Sequence, residues 1–336
     1  MNVVLLPGDG IGPEVVAEAA RVLSVLAPDV DLAEHAIGGA AIAASGEPLP
    51  AATLAACLAA DAVLMGAVGA GDYAWTDQNP EDGMFALRRA LDVYANLRPT
   101  VAEGIDLLIV RELVGGLYFG ARGTRPDGTV FDTCEYHPDQ VRRVVRKGFE
   151  LARARRGRMT SVDKANVLAT SRMWRGVVEE LAPEYPDVAV DHLLVDTAAM
   201  RLVQDAGAFD VIVTENTFGD ILSDIAAALG GGLGEAASAC LADGRPGLFE
   251  PVHGTAPDIA GRGVANPTAT LRSTALLLEH GLDRPDAAER LNAALDRVGT
   301  LGGTPDRGGE WTTSQLGDAL VADLDATAGE VPGVQA

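Results

Sequence analysis

An unbroken apolar tetrapeptide, Val3-Val4-Leu5-Leu6, runs into Gly8-Asp9-Gly10-Ile11-Gly12 and then Pro13. A short apolar run bounded by glycine reads as a buried strand entering a turn. Pro13 opens a helix, at a position where a missing N–H costs nothing. Val15, Val16, Ala19 and Leu23 carry its apolar face at helical spacing. The alternation recurs. Ala62-Val63-Leu64-Met65 is a second strand, and Leu107-Leu108-Ile109-Val110 a third. Residues 209–214 form a late strand, followed by an apolar-rich helix from about Phe218 that Gly230-Gly231-Gly232 breaks. Residues 269–278 read as a further helix, and the tail from Ala326 as frayed. Strands alternating with helices specify an α/β fold. A chain of 336 residues has room for one large or two medium domains.

The remaining composition narrows the function classes. No window holds the roughly eighteen uninterrupted apolar residues that span a bilayer. The start has no basic n-region, so a signal peptide is not expected and a cytoplasmic enzyme is the default. Cys57, Cys134 and Cys240 are far apart, with no Cys-x-x-Cys, and point to neither a zinc site nor a disulfide framework. A net charge of −22 argues against nucleic acid or an anionic membrane as partner. An anionic substrate would have to be met by arginines gathered locally against that field. Lysine is nearly absent, with only Lys147 and Lys164 in the sequence.

Several segments could carry chemistry. Gly8-x-Gly10-x-Gly12 follows a strand, but a dinucleotide fingerprint needs Gly-x-Gly-x-x-Gly and an acidic residue about twenty positions on. The turn is equally well a tight strand-to-helix connection. Arg88 sits in a helical stretch, Arg98 in Asn96-Leu97-Arg98-Pro99, and Arg111 just after the apolar run 107–110. An arginine at a strand's carboxyl end often points into an α/β crevice, and three such forks could hold two carboxylates; each alone could be a surface arginine. Asp220 and Asp224 share one helical face, which suits Mg²⁺ or Mn²⁺, or else simply complements the helix dipole. Asp196 follows Leu193-Leu194-Val195 and is a third carboxylate or a helix cap. Lys164 lies between apolar neighbours in a chain that otherwise prefers arginine, and a lysine can give up its proton where arginine cannot. Tyr118 is a possible acid or a packed aromatic, and His253 a possible cofactor contact or a structural histidine.

Taken in order, these segments resemble the β-decarboxylating dehydrogenases, the family of isocitrate, homoisocitrate, tartrate and 3-isopropylmalate dehydrogenases. The resemblance runs from Gly8-Asp9-Gly10-Ile11-Gly12-Pro13-Glu14 to Leu316-Gly317-Asp318-Ala319, and is most specific over 213–224 and 250–267. It implies a two-domain α/β fold around a central cleft, not a classical Rossmann fold. One discontinuous domain, 1–93 and 231–336, would lie on the cofactor side; the other, 94–230, would carry the metal site and the interface of a homodimer with shared active sites. Arg88, Arg98 and Arg111 would bind the carboxylates of a small dicarboxylate substrate. Asp220 and Asp224 would hold Mg²⁺ or Mn²⁺, joined by Asp196 from the other subunit. Lys164, also from the partner, would help deprotonate the hydroxyl, and Tyr118 would help protonate the enol. His253, Gly254, Thr255, Ala256, Pro257, Asp258 and Asn266 would cradle the adenosine of the cofactor. Asp258 favours NAD, because a carboxylate accepts from the ribose 2′-OH and repels a 2′-phosphate.

Within the family, Glu81-Asp82-Gly83-Met84-Phe85-Ala86-Leu87-Arg88 resembles the isopropylmalate branch, in which a glutamate and two bulky apolar residues precede the arginine. Glu81, Met84 and Phe85 would then face the substrate, the apolar pair lying against an isopropyl group. Leucine biosynthesis is the implied setting. The sequence departs from the branch in having Met84-Phe85 for Leu-Leu, a short loop from Gly71 to Asn79, and almost none of the strand-and-loop segment expected after Arg98-Pro99-Thr100. A relative acting on homoisocitrate, tartrate, malate or a larger alkyl or aryl malate is the nearest alternative. A catalytically silent regulatory subunit is the alternative from another class, against which stand Lys164, Asp196, Asp220 and Asp224, all present.

Overall fold

The computed structural model describes residues 1–69, 79–244 and 246–327. The Gly71–Asn79 loop singled out above, Asn79 apart, and nearly all of the tail lie outside these residues. In chain order the first elements are β1 (Asn2–Gly8), α1 (Gly12–Leu26), β2 (Asp31–Glu34), α2 (Gly38–Ser45), α3 (Ala51–Ala59), β3 (Ala62–Ala67) and α4 (Pro80–Leu91). The middle of the chain supplies β4 (Ala95–Ala102), β5 (Ile105–Glu112), β6 (Arg122–Thr124), β7 (Val130–Asp132), α5 (Pro138–Ala154), β8 (Arg158–Asp163), α6 (Ala169–Leu181), β9 (Ala189–Leu194), α7 (Val195–Asp205), β10 (Val211–Thr214) and α8 (Asn216–Leu229). The last stretch adds β11 (Ala237–Leu241), β12 (Gly247–Pro251), α9 (Thr268–Leu276), α10 (Pro285–Gly299) and α11 (Thr313–Ala326). Met1–Asp92 and the chain from Leu233 onward make one compact unit, and Val93–Gly232 makes the other.

In the first unit the strands run in the order β2-β1-β3-β12-β11. β1 is parallel to β2 and β3, and β3 to β12, while β11 returns antiparallel to β12. β3 is buried along its whole length, as a parallel strand covered on both faces must be. The glycine turn after β1 is filled by the chain itself. Ile11 N–H donates to the Thr255 carbonyl at 2.9 Å, and Asp9 N–H to the Ala67 carbonyl at 2.7 Å. Gly10 has φ +58°, and a Cβ there would run into the Thr255 backbone. The close approach that glycine permits is therefore to Thr255, not to a pyrophosphate.

In the second unit the order is β4-β5-β10-β8-β9. β5, β10, β8 and β9 are parallel, and β4 pairs antiparallel with β5 from Ala95↔Glu112 to Ala102↔Ile105. Glu103-Gly104 closes that hairpin, with Gly104 at φ +72°. This corrects the sequence expectation: the strand around Arg98 is present, and only the loop is short. Pro99 hides it, because a proline demotes a run that otherwise reads as strand. Leu107, Ile109, Val162, Leu202, Phe209, Ile212 and Leu222 form the buried core between the strands and α7 and α8. α8 starts at Asn216, earlier than Phe218, because the Glu215 side chain caps it by accepting Phe218 N–H at 2.8 Å.

Candidate active site

The carboxyl ends of β5 and β10 and the first turns of α8 bring five of the singled-out side chains together. Arg111 is the last residue but one of β5, and its stem lies across α8 at Gly219, where a Cβ would sit 2.7 Å from Arg111 Cγ. Glycine at 219 is thus what lets the guanidinium reach Asp220. Arg111 Nε donates to Asn216 Oδ1 at 2.9 Å, and Nη1 pairs with Asp220 Oδ1. Arg98, from β4, donates through Nε to Asn96 Oδ1 at 2.8 Å and through Nη1 to Ser223 Oγ at 2.7 Å. Its Nη2 lies 3.3 Å from Asp220 Oδ1, and Nη1 lies 3.4 Å from Asp224 Oδ1. Tyr118, on the short 3-10 turn Gly116–Tyr118, donates to Asp220 Oδ2 at 3.1 Å. Two guanidinium forks, two carboxylates and a phenol therefore share one cluster.

Burial and the Asp220 charge both raise the Tyr118 phenol above its ordinary value, which keeps it protonated at neutral pH. Burial raises the Asp224 carboxyl, against the pull of Arg98. The Asp224 side chain is 55% exposed. Two carboxylates one helical turn apart, with oxygen donors only and one face open, fit a hard divalent cation. Asp220 and Asp224 would hold it. Among the described residues no three His, Cys, Asp or Glu side chains converge, so Asp196 does not complete that set within one chain.

Asp196 instead lies in the first turn of α7, where Leu194 and not Asp196 is the cap residue. Lys164 Nζ donates to Asp196 Oδ1 at 2.6 Å. This corrects the reading of Lys164 as a lysine between apolar neighbours: Asp163 directly precedes it, and its ammonium group meets the Asp196 carboxylate. The lysine holds the Asp196 carboxyl below its ordinary value. The lysine's backbone is fixed from both sides, by Ser171 Oγ accepting Lys164 N–H at 3.0 Å and by buried Asp163 accepting Ala165 N–H at 2.9 Å.

The other named residues belong to the first unit. α4 opens with Pro80 and the Asn79 cap, and Gly83 packs so close to the Pro48 carbonyl that a Cβ would lie 2.5 Å from its oxygen. Glu81, Met84 and Phe85 are half-buried on this helix. Arg88, one turn on, pairs with buried Glu250 of β12 at 2.5 Å. Further along, His253 Nδ1 contacts the Gly254 carbonyl at 2.9 Å, while Nε2 is buried with no hydrogen-bond partner among the described residues. Burial lowers the His253 pKa, so the ring is neutral and Nε2 is a free acceptor. A Cβ on Gly254 would meet nothing within 4 Å, and Pro257 and Asp258 are exposed. An orphaned acceptor beside an open glycine fits a cofactor bearing N–H or O–H donors. Ala256 has φ +40°, a strained position for a residue with a side chain. Thr255 lies against Gly10 and Gly69. Asn266 is spent internally: its amide donates to Glu235 and Asp306, and its oxygen accepts Thr268 N–H.

Sequence reasoning gave no role to Glu112, Tyr136, Glu215, Asn216 or Glu250. Glu112 is fully buried, accepts Val114 N–H at 3.0 Å and Gly115 N–H at 2.9 Å, and is pushed up by burial to about 7. A glutamate and an asparagine flanking an arginine or a helix start carry no pattern that separates them from surface residues.

An arginine pair facing a carboxylate pair at an α/β strand end is the kind of cluster that an enzyme acting on an acidic small molecule carries. The comparisons specify it further. The chain matches the isocitrate/isopropylmalate dehydrogenase family over residues 2–320 and belongs to that family. A 3-isopropylmalate dehydrogenase of Zymomonas mobilis is 47% identical, over 97% of this chain and 100% of that protein. One of Nitratidesulfovibrio vulgaris is 50% identical, over 89% of this chain and 91% of that protein. The crystal structure of isocitrate dehydrogenase from Methylococcus capsulatus superposes with a TM-score of 0.89 at 37% identity, covering 96% of this chain and 99% of that one. The protein is thus a β-decarboxylating dehydrogenase with the two-domain α/β fold of its family.

Proposed function

We propose that this enzyme oxidises and decarboxylates 3-isopropylmalate to 4-methyl-2-oxopentanoate and CO2, with NAD as the hydride acceptor and Mg²⁺ or Mn²⁺ as the cation, in the cytoplasmic synthesis of leucine. The observation that carries the chemistry is the convergence of Arg98 and Arg111 on Asp220, Asp224 and Tyr118. The identity of 47–50% to proteins named 3-isopropylmalate dehydrogenase, against 37% to an isocitrate dehydrogenase, supports the substrate.

When bound, the cation supplies Lewis acidity at the C2 hydroxyl and the nicotinamide a place for the hydride. The chain's own groups do the rest. Arg98, Arg111 and Arg88 bind the two carboxylates through planar forks. Two arginines and two aspartates already neutralise each other, so a dication and a dianionic substrate can enter together without stranding a charge. Lys164, in its neutral amine form, takes the hydroxyl proton. The ketone formed at C2 is β to a carboxylate, CO2 leaves, and Tyr118 returns a proton to the carbon it left. Met84 and Phe85, one turn before Arg88, meet the apolar 3-substituent, with Glu81 beside them. His253, Gly254, Thr255, Ala256, Pro257, Asp258 and Asn266 form the adenosine side of the cofactor site, Asn266 by fixing the segment from within.

Asp196 and Lys164 complete the site of a second subunit in a homodimer. Met200 and Val203 on α7 and Ile221 on α8 expose 53%, 66% and 55% of their surface, on two helices that pack together and carry the acids. Apolar side chains in that position are an interface in waiting. The deciding experiment is a panel of 3-substituted malates assayed for NADH and NADPH formation. Isopropylmalate with NAD is expected to lead, NAD exceeding NADP at least about tenfold, or about 1.4 kcal/mol. A tricarboxylate or a larger alkyl malate leading instead would replace the substrate, and equal use of NADP would remove Asp258 from the ribose.

A further inference from the structure

Tyr136 is a half-buried tyrosine with no place in the chemistry above, yet its ring and hydroxyl touch both segments that the chemistry needs. The ring packs against the turn that ends in Tyr118. A Cβ on Gly115 would sit 2.6 Å from its Cε1, and one on Gly116 2.8 Å from its Cζ. Gly116 also needs φ +77°, and its N–H donates to the Glu135 carbonyl at 2.9 Å. The Gly115-Gly116 pair is therefore glycine because the tyrosine occupies the space where side chains would stand. On its far side the ring meets Trp174 edge-on, with centroids 6.3 Å apart.

The hydroxyl reaches the start of α8. It donates to Glu215 Oε2 at 3.1 Å and accepts Asn216 N–H at 3.0 Å. Glu215 is the residue that caps α8, and Asn216 is buried, its Oδ1 holding Arg111 Nε at 2.9 Å and its Nδ2 donating to the Gly115 carbonyl at 3.0 Å. A closed circuit results: Gly115 to Asn216, Asn216 to Arg111, Arg111 to Asp220, Asp220 to Tyr118, and Tyr118 back along three residues to Gly115. Tyr136 sits beneath it and touches it twice.

We propose that Tyr136 is a positioning residue that holds the Tyr118 turn and the first turn of α8 in a single geometry; what Tyr118, Arg111 and Asp220 then do rests on the function proposed above. A half-buried phenol that donates to buried Glu215 and accepts the N–H of buried Asn216 is a rigid spacer, because both partners are withdrawn from solvent. Removing only the hydroxyl leaves the ring on Gly115 and Gly116 but strands the Asn216 N–H and takes a partner from the Glu215 and Glu112 carboxyls.

The test is Tyr136→Phe in the full-length enzyme, read in two ways. In steady state with isopropylmalate, kcat is expected to fall at least about tenfold, the scale of a small misplacement of reacting groups, while the KM for NAD stays within about twofold. In hydrogen exchange, protection is expected to fall in 115–118 and in 216–220 and to stay unchanged in β8. A kcat equal to wild type, or exchange in both segments as slow as in wild type, overturns the proposal whatever the Tm does, since a tyrosine that merely fills space would lower Tm and leave both readings alone. If the wild type turns over no 3-substituted malate, the function is wrong, and exchange alone decides the role of Tyr136. Should Tyr136→Phe not fold, Glu215→Gln keeps an acceptor for Phe218 N–H and makes the hydroxyl's partner neutral; the same two changes are expected, with kcat down about threefold.

Discussion

Glu112 shows how one carboxylate can set the backbone beside an active site and tie it to pH. It is buried, and both its oxygens are engaged by the N–H groups of Val114 and Gly115. Its ordinary value is 4.5 and its folded value about 7, so the native state holds the proton more tightly than the unfolded chain. Stability from this group is present below pH 4.5 and is lost as pH rises to 7, by an amount on the order of 3 kcal/mol. Glu112→Gln cannot ionise. Urea unfolding at pH 5 and pH 8 is expected to show a variant weaker than wild type at pH 5, where one N–H loses its acceptor, and a gap that closes or reverses at pH 8. A gap that is constant across pH would mean Glu112 titrates as an ordinary glutamate. Lys164 makes the second argument at this scale. Its partner Asp196 would accept an arginine's charge as readily, but arginine cannot shed a proton near neutral pH. Lys164→Arg is therefore expected to lose nearly as much kcat as Lys164→Met. Substantial turnover in the arginine variant would reduce the lysine to a charge that orients Asp196.

Among the elements, α8 and α4 divide the work. α8 carries its two carboxylates on one face because they are four residues apart, and its start is fixed by Glu215. α4 carries Met84 and Phe85 four and three residues before Arg88, on the face that bears the arginine. A third carboxylate placed against that pair would lose hydration with no donor to replace it, at a cost of kilocalories. kcat/KM for isopropylmalate, isocitrate and homoisocitrate is expected to fall in that order, and Phe85→Ala to narrow the range. If Phe85→Ala lowers Tm and leaves the order unchanged, the pair is packing between α4 and its neighbours.

At the scale of the whole molecule, no third acidic side chain joins Asp220 and Asp224 among the described residues, while Asp196 and Lys164 pair with each other elsewhere on the same unit. A dimer formed through α7 and α8 would reconcile the two. Mixing Lys164→Met protein with Asp220→Asn protein after mild dissociation is then expected to restore activity, because each heterodimer assembles one intact site from two damaged chains. Mixtures as inactive as their components would place every residue of a site in one chain. The net charge of −22 belongs to this scale as well. It repels a dianion from most of the surface and leaves the arginine forks to hold it.

The sequence by itself determined the alternation of strand and helix, the glycine turn that is not a Rossmann loop, the family, and the identities of the arginines and aspartates that cluster in the second unit. Those signals are local: a period of burial, a proline at a helix start, two acids one turn apart. Tertiary structure decided what no local pattern encodes. Arg111 meets Asp220 across 109 residues and Tyr118 meets it across 102, a consequence of β10 lying beside β5 in the sheet. Strand β4 was hidden by Pro99 and appears only once β5 offers it a partner. Lys164 acquired a carboxylate neighbour because β8 and β9 run side by side into their turns, Val162↔Leu193 and Asp163↔Leu194, which no reading of its flanking residues could supply. Glu112, Tyr136 and Asn216 matter through hydrogen bonds to backbone far away in sequence, and burial gives those bonds their weight.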